Sequence, residues 1–288
     1  MQPTRSLTAH CTLSHHPAGQ PLLTVDNGYA KAEISLFGAH VLSYQRHDEP
    51  ASIWLSDKAV LDGSKPIRGG IPLCWPWFGP SPARVGSGKP AHGFARNCLW
   101  TLDGVSDHGD GTLVHLSLRD NDASRTLWPH AFELELDVLV GKELSLVLTT
   151  RNTGKSALTY NAALHTYLQI SAPEAVTVTG LGEPYLDKLT GRNELQQGAL
   201  TVTAAMDRIY RQPDAMVSVQ DGERTTRVVN GNHDSVVVWT PWQEGASAMA
   251  DMSDDGYRTM LCVEAAITAE DGITVPPDEE HSFSTVII

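Results

Sequence analysis

Cysteine is scarce. Only Cys11, Cys74, Cys98 and Cys262 occur in 288 residues, far apart and without a C-x-x-C pair, which argues against both a zinc cage and a disulfide framework. They read as ordinary thiols of a reducing compartment. The amino terminus (MQPTRSLTAHCTLSHHP) lacks an apolar run that would serve as a signal peptide, and no later stretch approaches the length needed to cross a bilayer. Cytoplasm is therefore the expected location. Positive charge is also short, with 21 Lys and Arg against 34 Asp and Glu and a formal net charge of −13. That balance argues against duplex nucleic acid or an anionic membrane as partner, since both demand a cationic face. What is present is the composition of a folded protein, 41% hydrophobic and 19% charged.

Helical periodicity is missing too. Apolar residues alternate with polar ones over short runs, the period of half-buried strands. Leu22 to Val25, an Asp26-Asn27-Gly28 turn, then Ala30, Ala32, Ile34 and Leu36 predict a hairpin. Phe132, Leu134, Leu136 and Val138, turned by Gly141-Lys142-Glu143 into Leu144, Leu146 and Leu148, predict a second. Further strands are expected at 113–118, 176–179, 217–219, 236–239, 260–264 and 283–288. Many short strands without intervening helices point to an all-β fold, a large antiparallel β-sandwich. The expected organisation is one domain over 22–288, preceded by a flexible segment over 1–21, acting as a monomer.

One loop, residues 63–102, stands apart. It is dense in proline and glycine, carries Trp75, Trp77 and Phe78, and contains no Asp or Glu although the protein is acidic. It does hold Lys65, Arg68, Arg84, Lys89, Arg96 and His92. Guanidinium groups beside aromatic rings suit a phosphorylated sugar, because the forks grip phosphate oxygens and the rings cover the sugar's apolar face. A solvated basic loop or a structural plug over one end of the sandwich is the plainer alternative. The GSGKP segment at Gly86 to Pro90 departs from a phosphate-binding P-loop, with Ala83 where the first glycine belongs and Pro90 where Ser or Thr is needed.

Three further segments carry candidate chemistry. Asn161 to Ile170 reads as a strand with Asn161, His165, Tyr167 and Gln169 on a polar face and Ala162, Leu164, Leu168 and Ile170 on a core face. His165 could exchange protons near neutrality, or simply be a satisfied structural histidine. Glu264 ends the apolar run Met260 to Val263, so it is either paired with an arginine or poised with a shifted pKa. His10, Cys11, His15 and His16 have the element types of a metal site, but their spacing matches no zinc motif and a flexible tail accounts for them. Asp207 by itself reads as an exposed loop acid.

Five segments in order, IRGGIPLCWPWFGP (Ile67 to Pro80), AHGFARN (Ala91 to Asn97), LHTYL (Leu164 to Leu168), DRIY (Asp207 to Tyr210) and CVEAA (Cys262 to Ala266), resemble the aldose 1-epimerase (galactose mutarotase-like) superfamily and its glucose-6-phosphate 1-epimerase branch. The similarity runs from about Leu22 onward, and the pairing of WPWFGP with HGFAR is its specific part. The resemblance implies a super-β-sandwich, a catalytic pair His165 and Glu264, and a sugar site lined by Arg68, His92, Arg96 and Asp207. Within it, Arg68 and Arg96 would hold phosphate. No metal or cofactor is implied. Ala91 departs from relatives that carry a substrate-touching glutamine there, which bears on sugar preference.

The implied reaction interconverts the α and β anomers of a hexose 6-phosphate, with Glu264 and His165 facing each other across the sugar ring. A non-catalytic sugar-phosphate sensor on the same fold and a polysaccharide lyase or hydrolase are the alternatives. Whether Lys89, Trp75 or Trp239 touches substrate is left open by the sequence.

Overall fold

The computed structural model describes residues 4–288. The alternation at 21–36 becomes the hairpin Pro21–Asp26 with Ala30–Ser35, Asp26 standing opposite Lys31. The Asn27 side chain closes its turn by accepting from the Tyr29 and Ala30 N–H groups. Phe132–Gly141 pairs with Leu144–Asn152 along its length.

Among the described residues all the strand ladders are antiparallel and fall into four sheets. The first five strands, from Arg5–Ser6 to His40–Arg46, make one sheet in chain order. A nine-stranded sheet runs from Leu200–Thr201 at one edge to Thr101–His108 at the other. An eight-stranded sheet has Met206–Tyr210, Ser235–Thr240, Met260–Ile267 and Ala162–Leu164 as successive neighbours, with Tyr167–Gln169 also pairing with Met260–Ile267. Leu158–Tyr160 and Ile273–Val275 form a separate pair. The largest buried cluster draws on the three larger sheets, with Val25, Leu136, Leu146, Leu164 and Val263 among its members.

The eight-stranded sheet is covered on both sides, and this is what places the site. Every residue of Met260–Ile267 is buried. Leu261, Val263, Ala265 and Ile267 face the main core, each worth roughly 1.5–3 kcal/mol for the larger side chains. On the other face Cys262 packs with Trp54 and Tyr167, and Ala266 with Cys74 and Ile209. Glu264 lies on that second face by the two-residue period.

Several expectations change. The segment expected to be flexible contains Cys11–His15, which pairs in full with Pro21–Asp26 and buries Cys11. A five-residue partner edge and a core contact make this a strand that the histidine-rich composition hid. Among the described residues His10, Cys11, His15 and His16 form no metal-ligand group. The 161–170 run is broken after Leu164 and resumes at Tyr167, and its polar face is mostly buried as well, Asn161, His165 and Tyr167 in full and Gln169 in part. Glu264 is interior to its strand, not at its end. Asp207 lies in Met206–Tyr210 and not in a loop. Two short helices, Asp122–Leu127 and Trp242–Ser247, join the strands, and no helix of the described residues is long and apolar enough to cross a membrane.

Candidate active site

Two rows of side chains cross the second face of the eight-stranded sheet. Asp207 stands opposite Trp239, Trp239 opposite Cys262, and Cys262 opposite Tyr167. The next row runs Ile209, Val237, Glu264. Leu164 pairs with Ala265 before the break and Tyr167 with Cys262 after it. Carried across the gap, that register sets His165 directly opposite Glu264. Opposed residues have neighbouring Cβ atoms, so two residues a hundred apart in sequence meet by pairing geometry alone. His165 Nδ1 lies 3.4 Å from Glu264 Oε1.

The loop 63–102 roofs these rows. The Phe94 and Ala95 N–H groups both donate to the Trp75 carbonyl, at 2.9 and 3.2 Å, which seats HGFAR against WPWFGP. Gly93 is at φ 71°, and a Cβ there would stand 1.9 Å from the Trp75 oxygen, so only glycine allows the approach. Trp75 and Trp77 are buried, Trp75 donating to Thr150 Oγ1 at 3.1 Å. These indoles are the structural plug, while Phe78 is left at the cavity wall.

Between roof and sheet is a cavity of about 300 Å³ lined by Arg68, His92, Arg96, His165, Asp207 and Glu264. All six sequence candidates are thus brought together. Lys65, Arg84 and Lys89, from the same cationic run, do not line it. Arg84 reaches Asn161 Oδ1 and Lys89 the Leu127 carbonyl. Sequence reasoning missed Lys188 and Asp251, which do line the cavity. Both lie just beyond regular elements, and nothing local in the sequence marks them. Trp239, left open above, also lines the cavity, as alternation within Ser235–Thr240 permits.

The cations differ in how they are held. Arg68 donates from Nε to Asp251 at 3.2 Å and from Nη1 to the Tyr167 hydroxyl at 3.1 Å. Arg96 donates from Nη2 to the Ala91 carbonyl, while its buried Nε has no partner in the protein. Lys188 pairs with Asp207 at 2.8 Å and stands over the Phe78 ring. Asp207 therefore holds a cation at the wall.

Burial dominates the proton chemistry. His92 is pushed down to about 3 by burial, then by Arg96, Lys188 and Arg68. Its Nδ1 accepts from the Gly79 N–H at 3.3 Å, leaving Nε2 as the donor of a neutral ring. His165 is held well below the usual imidazole range by burial, with His92, Arg96 and Arg68 adding. Glu264 is raised well above the carboxylate range by burial and Asp207, against the pull of Lys188 and Arg96. Neither His165 Nδ1 nor Glu264 Oε2 has a hydrogen-bond partner within the protein. Both shifts favour the uncharged forms, a neutral imidazole beside a protonated carboxyl, which is an arrangement able to exchange a proton. Glu264 has no arginine partner.

One metal-type group occurs among the described residues: His165, Cys262 and Glu264, with ligand atoms within 4.8 Å of one another. Arg68, Arg96 and Lys188 on the same cavity oppose a further cation. Lys188 and Arg68 are paired with Asp207 and Asp251, while Arg96 has no carboxylate partner among the described residues and keeps N–H donors for an anion.

Comparison with known proteins matches residues 21–287 to the aldose 1-epimerase family. The chain is 38% identical over 247 residues to a Salmonella typhimurium protein named "Putative glucose-6-phosphate 1-epimerase", covering 84% of this chain and 82% of that protein. An Escherichia coli protein of the same name is 36% identical over 254 residues, covering 86% and 84%. A crystal structure of a Salmonella typhimurium "putative mutarotase" superposes with a TM-score of 0.93 at 32% identity, covering 99% of this chain and 95% of that one.

Proposed function

This chain belongs to the aldose 1-epimerase family, and from that premise we propose that it interconverts the α and β anomers of a hexose 6-phosphate, glucose 6-phosphate first among them. It is a sugar isomerase of the mutarotase type; the phosphate is the step beyond. One observation carries that step. Three cationic side chains, Arg68, Arg96 and Lys188, share a cavity of about 300 Å³ with an abutting His165–Glu264 pair, in a protein of net charge −13. Guanidinium groups with N–H donors left over match a phosphate dianion.

In the proposed reaction Glu264 as carboxylate takes the proton of the anomeric hydroxyl, O1. The O–H electron pair becomes the new C1=O1 bond, the C1–O5 pair moves to the ring oxygen, and His165 as imidazolium protonates it. The open aldehyde rotates about C1–C2. Closure on the other face reverses both transfers. At 3.4 Å the two groups are too close to enclose a sugar ring between them, contrary to the arrangement expected from the sequence. They suit O1 and O5 instead, two oxygens on one carbon approached from one edge. Burial favours the neutral form of the pair. A phosphate across Arg68 and Arg96 offsets the positive charges that oppose the imidazolium, and so helps bring the proton onto His165.

The same reading has the protein act as a monomer in the cytoplasm without a cofactor, and its four free cysteines accord with a reducing compartment. The cavity is small and its Asp207 and Asp251 are paired with Lys188 and Arg68, which speaks against an open acid-rich groove for a polysaccharide. The test is anomer exchange followed by NMR from pure α-glucose 6-phosphate, with glucose and galactose in parallel. Acceleration greatest for the phosphorylated sugar is expected. Acceleration confined to free sugars removes the phosphate, and binding without acceleration makes the protein a sensor.

A further inference from the structure

A proton-transferring imidazole needs a fixed direction, and the usual device is a hydrogen bond to the ring. His165 Nδ1 has none, and the residue sits in the gap between two short strands where the regular ladder lapses. Its ring is nevertheless packed. The Tyr167 ring stacks on it at 4.9 Å and 11° between planes. Trp54 also stacks on Tyr167, at 5.8 Å and 18°, and Trp239 meets Tyr167 edge-on at 5.9 Å. Tyr167 is itself tied down at both ends of its backbone, its N–H donating to Gly70 and its carbonyl accepting from Trp54.

The other end of the same side chain meets the cation. The Tyr167 hydroxyl accepts from Arg68 Nη1 at 3.1 Å, while Asp251 accepts from Nε at 3.2 Å and Nη2 at 3.4 Å. The guanidinium is thus clamped from two sides and keeps its remaining N–H donors for an anion. Tyr167 is 2% exposed, and burial raises its hydroxyl well above the usual range, so it stays a neutral phenol at any working pH. We propose that Tyr167 is a positioning residue that fixes the His165 imidazole with its ring and the Arg68 guanidinium with its hydroxyl, giving the phosphate grip and the proton-transfer pair one rigid support. The Arg68 half rests on the hexose 6-phosphate reading; the imidazole half needs only the epimerase reaction.

The experiment is anomer exchange kinetics for Tyr167→Phe and Tyr167→Leu on glucose 6-phosphate and on glucose. Tyr167→Phe keeps the stack and loses the bond to a charged group, so KM for glucose 6-phosphate rises about tenfold with kcat changed by less than about twofold. Tyr167→Leu removes the stack, and kcat falls about a hundredfold on either sugar as the imidazole loses its aim. A wild-type KM in Tyr167→Phe, or a wild-type kcat in Tyr167→Leu, overturns the proposal. Should Tyr167→Leu fail to fold, the Tyr167→Phe result decides. Should wild type show no preference for the phosphorylated sugar, the hexose phosphate reading fails together with the Arg68 half, and kcat of Tyr167→Leu on glucose judges the imidazole half separately.

Discussion

His40 and His165 are buried and His92 is half-buried, and all three are neutral in the fold. His40 donates from Nε2 to the Gly69 carbonyl at 2.7 Å and braces the turn that carries Arg68. Burial and nearby Arg96 push it down to about 4, the Gly69 bond acting the other way. His92 stands at about 3, and His165 is lowered as well. The unfolded chain takes up protons at these rings below about pH 6.5. The folded protein does not until His40 itself protonates near 4. Stability is therefore lost as pH falls through this window, by about 1.4 kcal/mol per pH unit for each such ring. Glu264 acts in the opposite sense, since its folded carboxyl keeps a proton that the unfolded chain releases, so its contribution is lost as pH rises above the ordinary carboxyl value. Urea unfolding of wild type and His40→Asn at pH 7.5 and pH 5 checks the sign. The variant should lose less stability on acidification, by about one proton's slope. Equal losses would mean that His40 does not titrate as argued.

At the scale of elements, the site depends on how one loop sits on one sheet. Gly93 marks the seat, since a methyl there runs into the Trp75 carbonyl. Gly88 also has positive φ, but its missing Cβ would point into open space. Gly93→Ala should therefore cost about 2–4 kcal/mol, and Gly88→Ala about 1 kcal/mol from backbone conformation alone. Thermal melts of the two variants compare them directly, and equal shifts would deny the loop this seat. The hairpins at 21–35 and 132–152 were legible in the sequence because a two-residue period bounded by turn residues is local information. The Cys11–His15 strand was not, since little in its alternation distinguishes it from a polar tail. His165 and Glu264 stood out as a histidine and a carboxylate among apolar neighbours. Their adjacency follows from the register across the 164–167 gap, which no local pattern encodes. Lys188 and Asp251 were invisible for the same reason: their meaning comes from what they face across the cavity.

Across the whole molecule, charge is distributed against its average. Residues 63–102 contribute no carboxylate to the roof of the cavity, and the three carboxylates of its wall and floor, Asp207, Asp251 and Glu264, come from other parts of the chain. Burial of the His165–Glu264 pair at the floor of the cavity shifts both groups toward neutrality. In the reaction proposed above, proton transfer by this pair opens the sugar ring. The most direct measurement is the rate of anomer exchange at saturating glucose 6-phosphate in wild type, Glu264→Gln and His165→Asn, each verified as folded by its thermal melt. Either substitution is expected to lower the catalysed rate by on the order of a hundredfold to ten-thousandfold, with the fold intact. Exchange at the wild-type rate in a folded Glu264→Gln or His165→Asn protein would contradict the proposed reaction.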